Sequence, residues 1–316
     1  MVESFVVLTV DGVPLLIDDI VSLSFTDRAG VKSDHLSVDL LPDKIRPNPS
    51  SKVTLTLSNS LGQVLECGLF HVQSVTRRNN KDLSFTATGV EFNEKQKKKR
   101  SQHYSKIKLS GIVNLVAKRL GHKVKFKAPD PKIDSFNQTE ETDINFLHRL
   151  ADKYDCLFSI KNDVVYFVDR ADESLPVFVV DVSKAQTSDI KLSTKTEYKS
   201  CKASYYDSHK AKRLSVVYGK GKPQLEIKAK GKTKEEAKLE AKCALQKAQR
   251  GTVTGSIQTI GQTLYAGTRL AIVNSYNHES DDIYSIECAT HSWSRSSGWV
   301  VDIEFENFKL KEKGKK

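Results

Sequence analysis

Apolar and polar residues alternate with period two through residues 5–92. Val21, Leu23 and Phe25 alternate with Ser22, Ser24 and Thr26, and Leu36, Val38 and Leu40 with Ser37 and Asp39. Val53, Leu55 and Leu57 repeat the pattern, as do Phe70 with Val72, and Leu83, Phe85 and Ala87. This period places one face of each segment against a core and the other in water, so it predicts half-buried strands. Asp11-Gly12 is hairpin-turn chemistry, and turn signals recur too often to leave room for crossover helices. The region reads as an all-β domain, a barrel or a sandwich.

The pattern changes after the charge run 93–100 (NEKQKKKR), which is read as a domain boundary. Ile112, Leu115, Val116 and Leu120 recur at helical spacing until Gly121 stops them. Val124 to Phe126 can form a strand, and Pro129 to Pro131 marks a loop. A compact helix–strand–turn–strand unit follows in 138–168. Thr142 caps its helix, Asp143 suits the first turn, and Ile144, Leu147, Ala151 and Tyr154 make an apolar stripe widened by Phe146 and Leu150. Asp155 ends the helix, 156–160 alternates as a strand, and Asn162-Asp163 turns the chain into a β-branched and aromatic return strand, 164–168. A strand at 176–182 is expected to close this α+β region.

From about 187 to 306 the chain returns to short alternating segments, among them Leu214, Val216 and Tyr218, then Leu225 and Ile227, and finally Val301, Ile303 and Phe305. One helix interrupts them. Thr233 and Glu236 form a capping box, and Ala237, Ala241, Ala244, Leu245 and Ala248 share a face suited to close packing on a sheet. The fold class expected is mainly β (α+β), with domains at 1–93, 94–181 and 182–316.

Composition narrows the function classes. The chain of 316 residues is 38% hydrophobic and 28% charged, soluble globular material without a bias towards disorder. No secretory leader is recognisable at the start, and no apolar run approaches the ~18 residues that a membrane span needs. Five scattered cysteines, Cys67, Cys156, Cys201, Cys243 and Cys288, make no C-x-x-C pair, so they read as small buried hydrophobes in a reducing compartment. The eight histidines show no metal-ligand spacing; His148 and His291 read as packing or hydrogen-bonding residues. No metal or other cofactor is expected. Nucleophile-elbow, zinc-protease and phosphate-loop motifs are absent from the sequence, and Glu140-Glu141 reads as the charged start of a helix, not as a glycosidase pair. The net charge is +11, and 209–250 carries thirteen Lys and Arg against four Glu. Such a surface attracts either nucleic acid or an acidic protein.

Specific segments carry more than a fold class. T-E-x-T-D-x-x-F-L-x-R-L at 139–150 resembles the phage late control gene D protein family, which supplies baseplate hubs of contractile tails and is related to the hub part of type VI secretion spike proteins. Asp155 stands where the family usually has Gly, a tolerable change because Asp accepts the left-handed conformation better than most residues. T-D-x-A-G-x-K-S-D at 26–34 is similar to a loop of the family's first barrel that reaches towards a neighbouring subunit. T-K-E-E-A-x-x-x-A-x-x-x-L from 233, A-G-x-x-L from 266 and Y-S-I-x-x-x-x-H-S-W-S from 284 are similar to its second barrel.

The resemblance implies two tail-tube-like β-barrels with the α+β domain inserted between them. It also implies a homotrimer adapting a six-fold tail tube to a three-fold spike, with no catalysis. The implied partners are the tail tube protein, a separate spike protein, and possible tape-measure and baseplate wedge contacts, with DNA only in transit. Assembly is expected in the bacterial host cytoplasm, followed by residence in the tail baseplate of a phage or related injection device. Partner contacts are expected at Asp27, Arg28, Lys32 and Asp34 in the first loop, and at Lys210, Lys212 and Arg213 in the basic stretch. A nucleic-acid-binding module and a tail-associated cell-wall hydrolase are the alternatives. The sparse aromatics of 209–250, Tyr218 alone, argue against single-strand binding.

Overall fold

The computed structural model describes residues 2–30, 33–41, 47–78, 82–89, 97–161, 163–170, 172, 174–193, 198–207, 211–231 and 233–307. The first lobe contains β1 (Ser4–Val10), β2 (Val13–Pro14), β3 (Ile20–Arg28), β4 (His35–Leu40), β5 (Lys52–Asn59), β6 (Val64–Arg78) and β7 (Asp82–Thr88). Their spatial order is β2-β1-β5-β6-β7-β4-β3. The inward residues of these strands, from Leu8 to Ala87, meet in one core, so the sheet wraps around its own apolar face. Asp11 and Gly12 both take positive φ, as the tight β1–β2 hairpin demands.

The middle lobe contains β8 (Lys99–Lys108), α1 (Leu109–Leu120), β9 (Lys123–Lys127), β10 (Lys132–Thr142), α2 (Asp143–Lys153), β11 (Cys156–Lys161) and β12 (Val164–Asp169). β8 and β10 form a two-stranded ribbon, and β11, β12 and β9 a three-stranded sheet. Thr142 Oγ1 accepts the Asn145 amide at 3.2 Å, as the cap requires. Phe146, Leu147, Leu150 and Ala151 of α2 enter the middle core together with Ile112, Val113 and Val116 of α1. Gly121 and Asp155 both adopt left-handed backbone at the ends of their helices. The ribbon is not evident from periodicity, because few of its residues are buried. Of the charge run 93–100, residues 93–96 lie outside the described residues, and Lys99 and Arg100 begin β8.

The rest of the chain contains β13 (Val177–Asp181), β14 (Thr187–Leu192), β15 (Ser200–Asp207), β16 (Lys212–Gly219), β17 (Gln224–Lys228), α3 (Lys234–Gln249), β18 (Val253–Ile260), β19 (Arg269–Val273), β20 (Asp282–Ser294) and β21 (Gly298–Glu306). The second β lobe has the order β13-β19-β20-β21-β18-β14 around a core of Ile257, Leu270, Ile286 and Phe305. β13 pairs with β19, so it belongs to this lobe and not to the middle one that the boundary at 181/182 implies. The physical reason is its alternation: Phe178 and Val180 face the second core. A second difference concerns 198–250. β16, β15 and β17 form a separate sheet on which α3 lies, with its own core of Cys201, Ala203, Ala237, Ala241 and Leu245. The Ala stripe therefore packs on this small sheet, where Cys201 and Ala203 let the helix come close, and does not lid the second β lobe.

The two β lobes repeat one connectivity. β5, β6, β7, β4 and β3 correspond in order to β19, β20, β21, β18 and β14. β6 and β20 even share a register break at matching places, at Gln73 between Val72 and Ser74 and at Glu287 between Ile286 and Cys288. β13 takes the place of β1 but runs parallel to its neighbour, whereas β1 runs antiparallel. The lobes join edge to edge where β3 pairs with β20, so among the described residues both belong to one continuous sheet. The far end of the β20–β21 hairpin leaves its own lobe, and Trp293 and Trp299 pack in the first core.

Candidate functional site

The three lobes meet around Asp27. The alternation that turns Leu23 and Phe25 inward also turns Asp27 inward, and it is wholly buried. A buried carboxylate is stable only when paired and hydrogen-bonded. Lys161, at the end of β11, brings its Nζ to 2.6 Å from Asp27 Oδ1, and the Ala266 amide of the second β lobe donates to Oδ2 at 3.0 Å. Asp34 Oδ2 lies 4.0 Å from the same ammonium, and the Arg28 amide donates to its Oδ1 at 3.5 Å.

Two carboxylates thus share one lysine beside a cleft of about 630 Å³, whose lining includes Lys125, Tyr166 and Tyr265. Burial pushes the Asp34 carboxyl up to about 7, with the Asp27 charge adding to the effect and Lys161 opposing it. Burial alone would lower the Lys161 ammonium, yet the two carboxylates hold it above its ordinary value. The neighbouring Cys67 thiol is driven up by burial and by the same carboxylates, so it stays protonated and poorly nucleophilic. This chemistry suits a joint between lobes better than it suits bond making.

Arginines fasten the opposite side of the joint. Arg170 Nη1 contacts Glu287 Oε1 at 2.8 Å, and the Arg269 guanidinium donates to the Arg170 carbonyl. Burial, together with the Arg170 charge, lowers Arg269 to about 10. Arg250, at the end of α3, pairs with Asp155 of the middle lobe and stands 3.8 Å from Glu306 of the second β lobe. Lys153 to Glu240 at 3.0 Å, with Lys247 to Asp152, ties α3 to α2. Arg250 counts in the basic stretch by sequence, yet it is a largely covered fastener whose charge is committed to Asp155 and Glu306.

The partner-contact expectations divide. Asp27 faces inward and leaves no surface for a partner, which corrects its reading as a contact residue. The reason is strand parity, since the T-D of the loop motif is the end of β3. Arg28 and Asp34 are half-buried beside the joint, while Lys32 lies outside the described residues. Lys212 and Arg213 are exposed at the start of β16, and Lys210 lies outside the described residues. They belong to the small sheet, whose outer face also presents Tyr206 at 55% and Val217 at 49% exposure. The structure therefore separates the two predicted contact groups.

Lys161 and Arg170 carry the joint and were not singled out in the sequence. A Lys at the end of an apolar strand looks like any hairpin lysine, and its partner is distant along the chain. Among the described residues no helix is long and apolar enough to cross a membrane, and no three His, Cys, Asp or Glu are grouped to hold a metal ion.

Comparison with known proteins agrees with this architecture. The probable baseplate hub protein of Escherichia phage 186 is 29% identical over 161 residues, which is 48% of this chain and 40% of that protein. The chain thus covers well under half the length of that relative. Among solved structures, the tail protein from Neisseria meningitidis MC58 superimposes with a TM-score of 0.68 at 13% identity, covering 96% of each chain. An Escherichia coli component of the type VI secretion system, itself structurally similar to T4 bacteriophage tail proteins gp27 and gp5, matches with a TM-score of 0.59 at 13% identity, over 98% of this chain and 78% of that one. At such identities these structures show a shared fold. The family model for the phage tail baseplate hub (GPD) matches residues 95–297, more than half of the sequence, and the chain belongs to that family.

Proposed function

We propose that this chain is a structural hub at the tip of a phage tail or related injection device. Three copies form a closed ring that receives the tail tube on one side and a spike on the other, without catalysis. The observation that carries this reading is the duplicated β lobe. Two lobes of one connectivity, joined by edge pairing of β3 with β20, make each chain two repeats of a ring-building unit. Heterologous contacts between repeats end only when a ring closes. A ring of three chains then offers six similar lobes to a six-fold tube, while keeping three-fold symmetry for a spike.

The reading without catalysis is supported by the state of the ionisable groups at the lobe joint. The carboxylates there are tied to Lys161, Arg170 and Arg250, and the nearby Cys67 thiol is held protonated. The test is native mass spectrometry of the full chain, alone and with its tail tube and spike proteins. A trimer that binds both is the expected result. A chain that stays monomeric with both partners present, or that cleaves peptidoglycan, overturns the proposal.

A further inference from the structure

We infer that β14 of one chain pairs antiparallel with the distal half of β6 in a second copy, an interface that rests on the ring reading and gives it a register. The template lies inside the chain. β20 carries β19 on one edge as far as Ser285, and beyond it β3 occupies the same edge from Cys288 to Ser294. β6, the counterpart of β20, carries β5 on the corresponding edge only as far as His71. Among the described residues no strand occupies that edge from Ser74 to Arg78, and most of this stretch is exposed. β14, the counterpart of β3, pairs with β18 alone among the described residues and is exposed except at Ile190, which is partly covered.

Among the described residues, each edge thus lacks the same kind of strand that the chain already uses internally. An unpaired edge strand is a template for another chain. The β6–β7 hairpin is also the counterpart of the β20–β21 hairpin, whose end crosses into the neighbouring lobe.

Matching registers carry the inference to residues. The breaks at Gln73 and Glu287 align β6 with β20, so Val75, Thr76, Arg77 and Arg78 correspond to Ala289, Thr290, His291 and Ser292. Pairing through β4 and β18 makes Leu192, Lys191, Ile190 and Asp189 correspond to Asp27, Thr26, Phe25 and Ser24. Inside the chain Asp27 faces Ala289 and Ser24 faces Ser292. Between copies, Leu192 therefore faces Val75 and Asp189 faces Arg78. These pairs are chemically matched. Leu192 is on the core-facing side of β14 yet is 67% exposed, and Val75 already packs at the margin of the first core. Asp189 and Arg78 are opposite charges on the outer face of the same pairing. Neither match is required by the internal template, whose own residues at these places are Asp with Ala and Ser with Ser.

The experiment uses the full-length chain with Val75→Cys and Leu192→Cys, oxidised beside wild type as a control for Cys67. The expected product is a disulfide-linked ladder that closes at the size of the native oligomer, with far less linkage for Val75→Cys combined with Asp189→Cys. Asp189→Arg and Arg78→Asp should each weaken association about fivefold at low salt, and the two together should restore it. Circular dichroism confirms that each variant folds. If the wild type oligomerises but the Val75→Cys, Leu192→Cys chain forms no such link and neither charge reversal changes association, the pairing is overturned while the ring reading stays in place. A wild-type chain that stays monomeric overturns both.

Discussion

Lys161 reaches Asp27 with 2.6 Å between Nζ and Oδ1, joining the end of a middle-lobe strand to a buried position in the first lobe. Removing one member of a buried pair leaves the other desolvated and uncompensated, a loss of about 3–5 kcal/mol. Lys161→Met should therefore destabilise the protein by that order in chemical denaturation. Adding Asp27→Asn should recover part of the loss, because the amide carries no charge and its oxygen can still accept from Ala266. A Lys161→Met variant within about 1 kcal/mol of wild type would show that the pair does not fasten the lobes.

Asp34 supplies a pH dependence of definite sign. Its carboxyl is held at about 7 in the folded protein, above the ordinary 3.8, so folding takes up a proton between these values. The associated stability is present in full below about pH 4 and is lost as pH rises through 7. Asp34→Asn removes this loss and keeps a side-chain oxygen for the Arg28 amide. The variant should match wild type near pH 4 and exceed it increasingly as pH rises, by about 2–4 kcal/mol near pH 8. Equal denaturation midpoints at pH 8 would count against a shared-lysine site.

These two residues mark how far the sequence could be read. Alternation located the strands of the first lobe and the turn at Asp11-Gly12, and helical spacing located α2 with its Thr142 cap. Each of those signals is local. What escaped is set by contacts distant along the chain: β13 joins β19 across the small sheet, and the β8–β10 ribbon buries too little to leave a period. The loop motif at 26–34 was legible as a family feature, but its Asp27 faces inward because β3 runs on through it. Lys161 has no local signature at all.

α2 offers a test of the middle core. Leu147 and Phe146 are fully buried there, against α1 and the β11–β12 strands. Leu147→Ala should cost about 2–5 kcal/mol through lost burial and the cavity left behind. Soluble yield should fall, while the protein that remains should still assemble, since Leu147 is enclosed in the middle core and belongs to neither β14 nor β6. Wild-type stability in this variant would mean that the core does not depend on that face of the helix.

His291 is fully buried, stacks on Phe25 and accepts from Trp299 Nε1 at 3.3 Å. Burial lowers its imidazole to about 4. The unfolded chain then binds the extra proton first, so stability falls as pH drops from about 6.5 towards 4. This trend opposes that of Asp34 and is best seen in the Asp34→Asn background. His291→Leu there should flatten the acid limb and also cost about 1–3 kcal/mol, because the Trp299 N–H loses its acceptor. An acid limb unchanged by the substitution would assign it to other groups.

The small basic sheet and its helix carry the last prediction. Residues 209–250 hold thirteen Lys and Arg against four Glu, a balance of 13 − 4 = +9. Arg250 is withdrawn into ion pairs, Lys247 pairs with Asp152, and Lys202 of the same sheet pairs with Glu226 at 3.3 Å. Lys212 and Arg213 remain at the exposed start of β16. A surface that gripped DNA would gain a salt-dependent attraction with each phosphate neutralised, and so would slow a strand in transit. The outer face presents Tyr206 and little other aromatic surface on which bases could stack. Such a surface suits an acidic protein partner better. Fluorescence anisotropy with double- and single-stranded oligonucleotides should accordingly show only weak binding at about 0.15 M salt, where exposed charges are partly screened. Tight retention abolished by Lys212→Glu with Arg213→Glu would instead make this sheet a DNA-binding face.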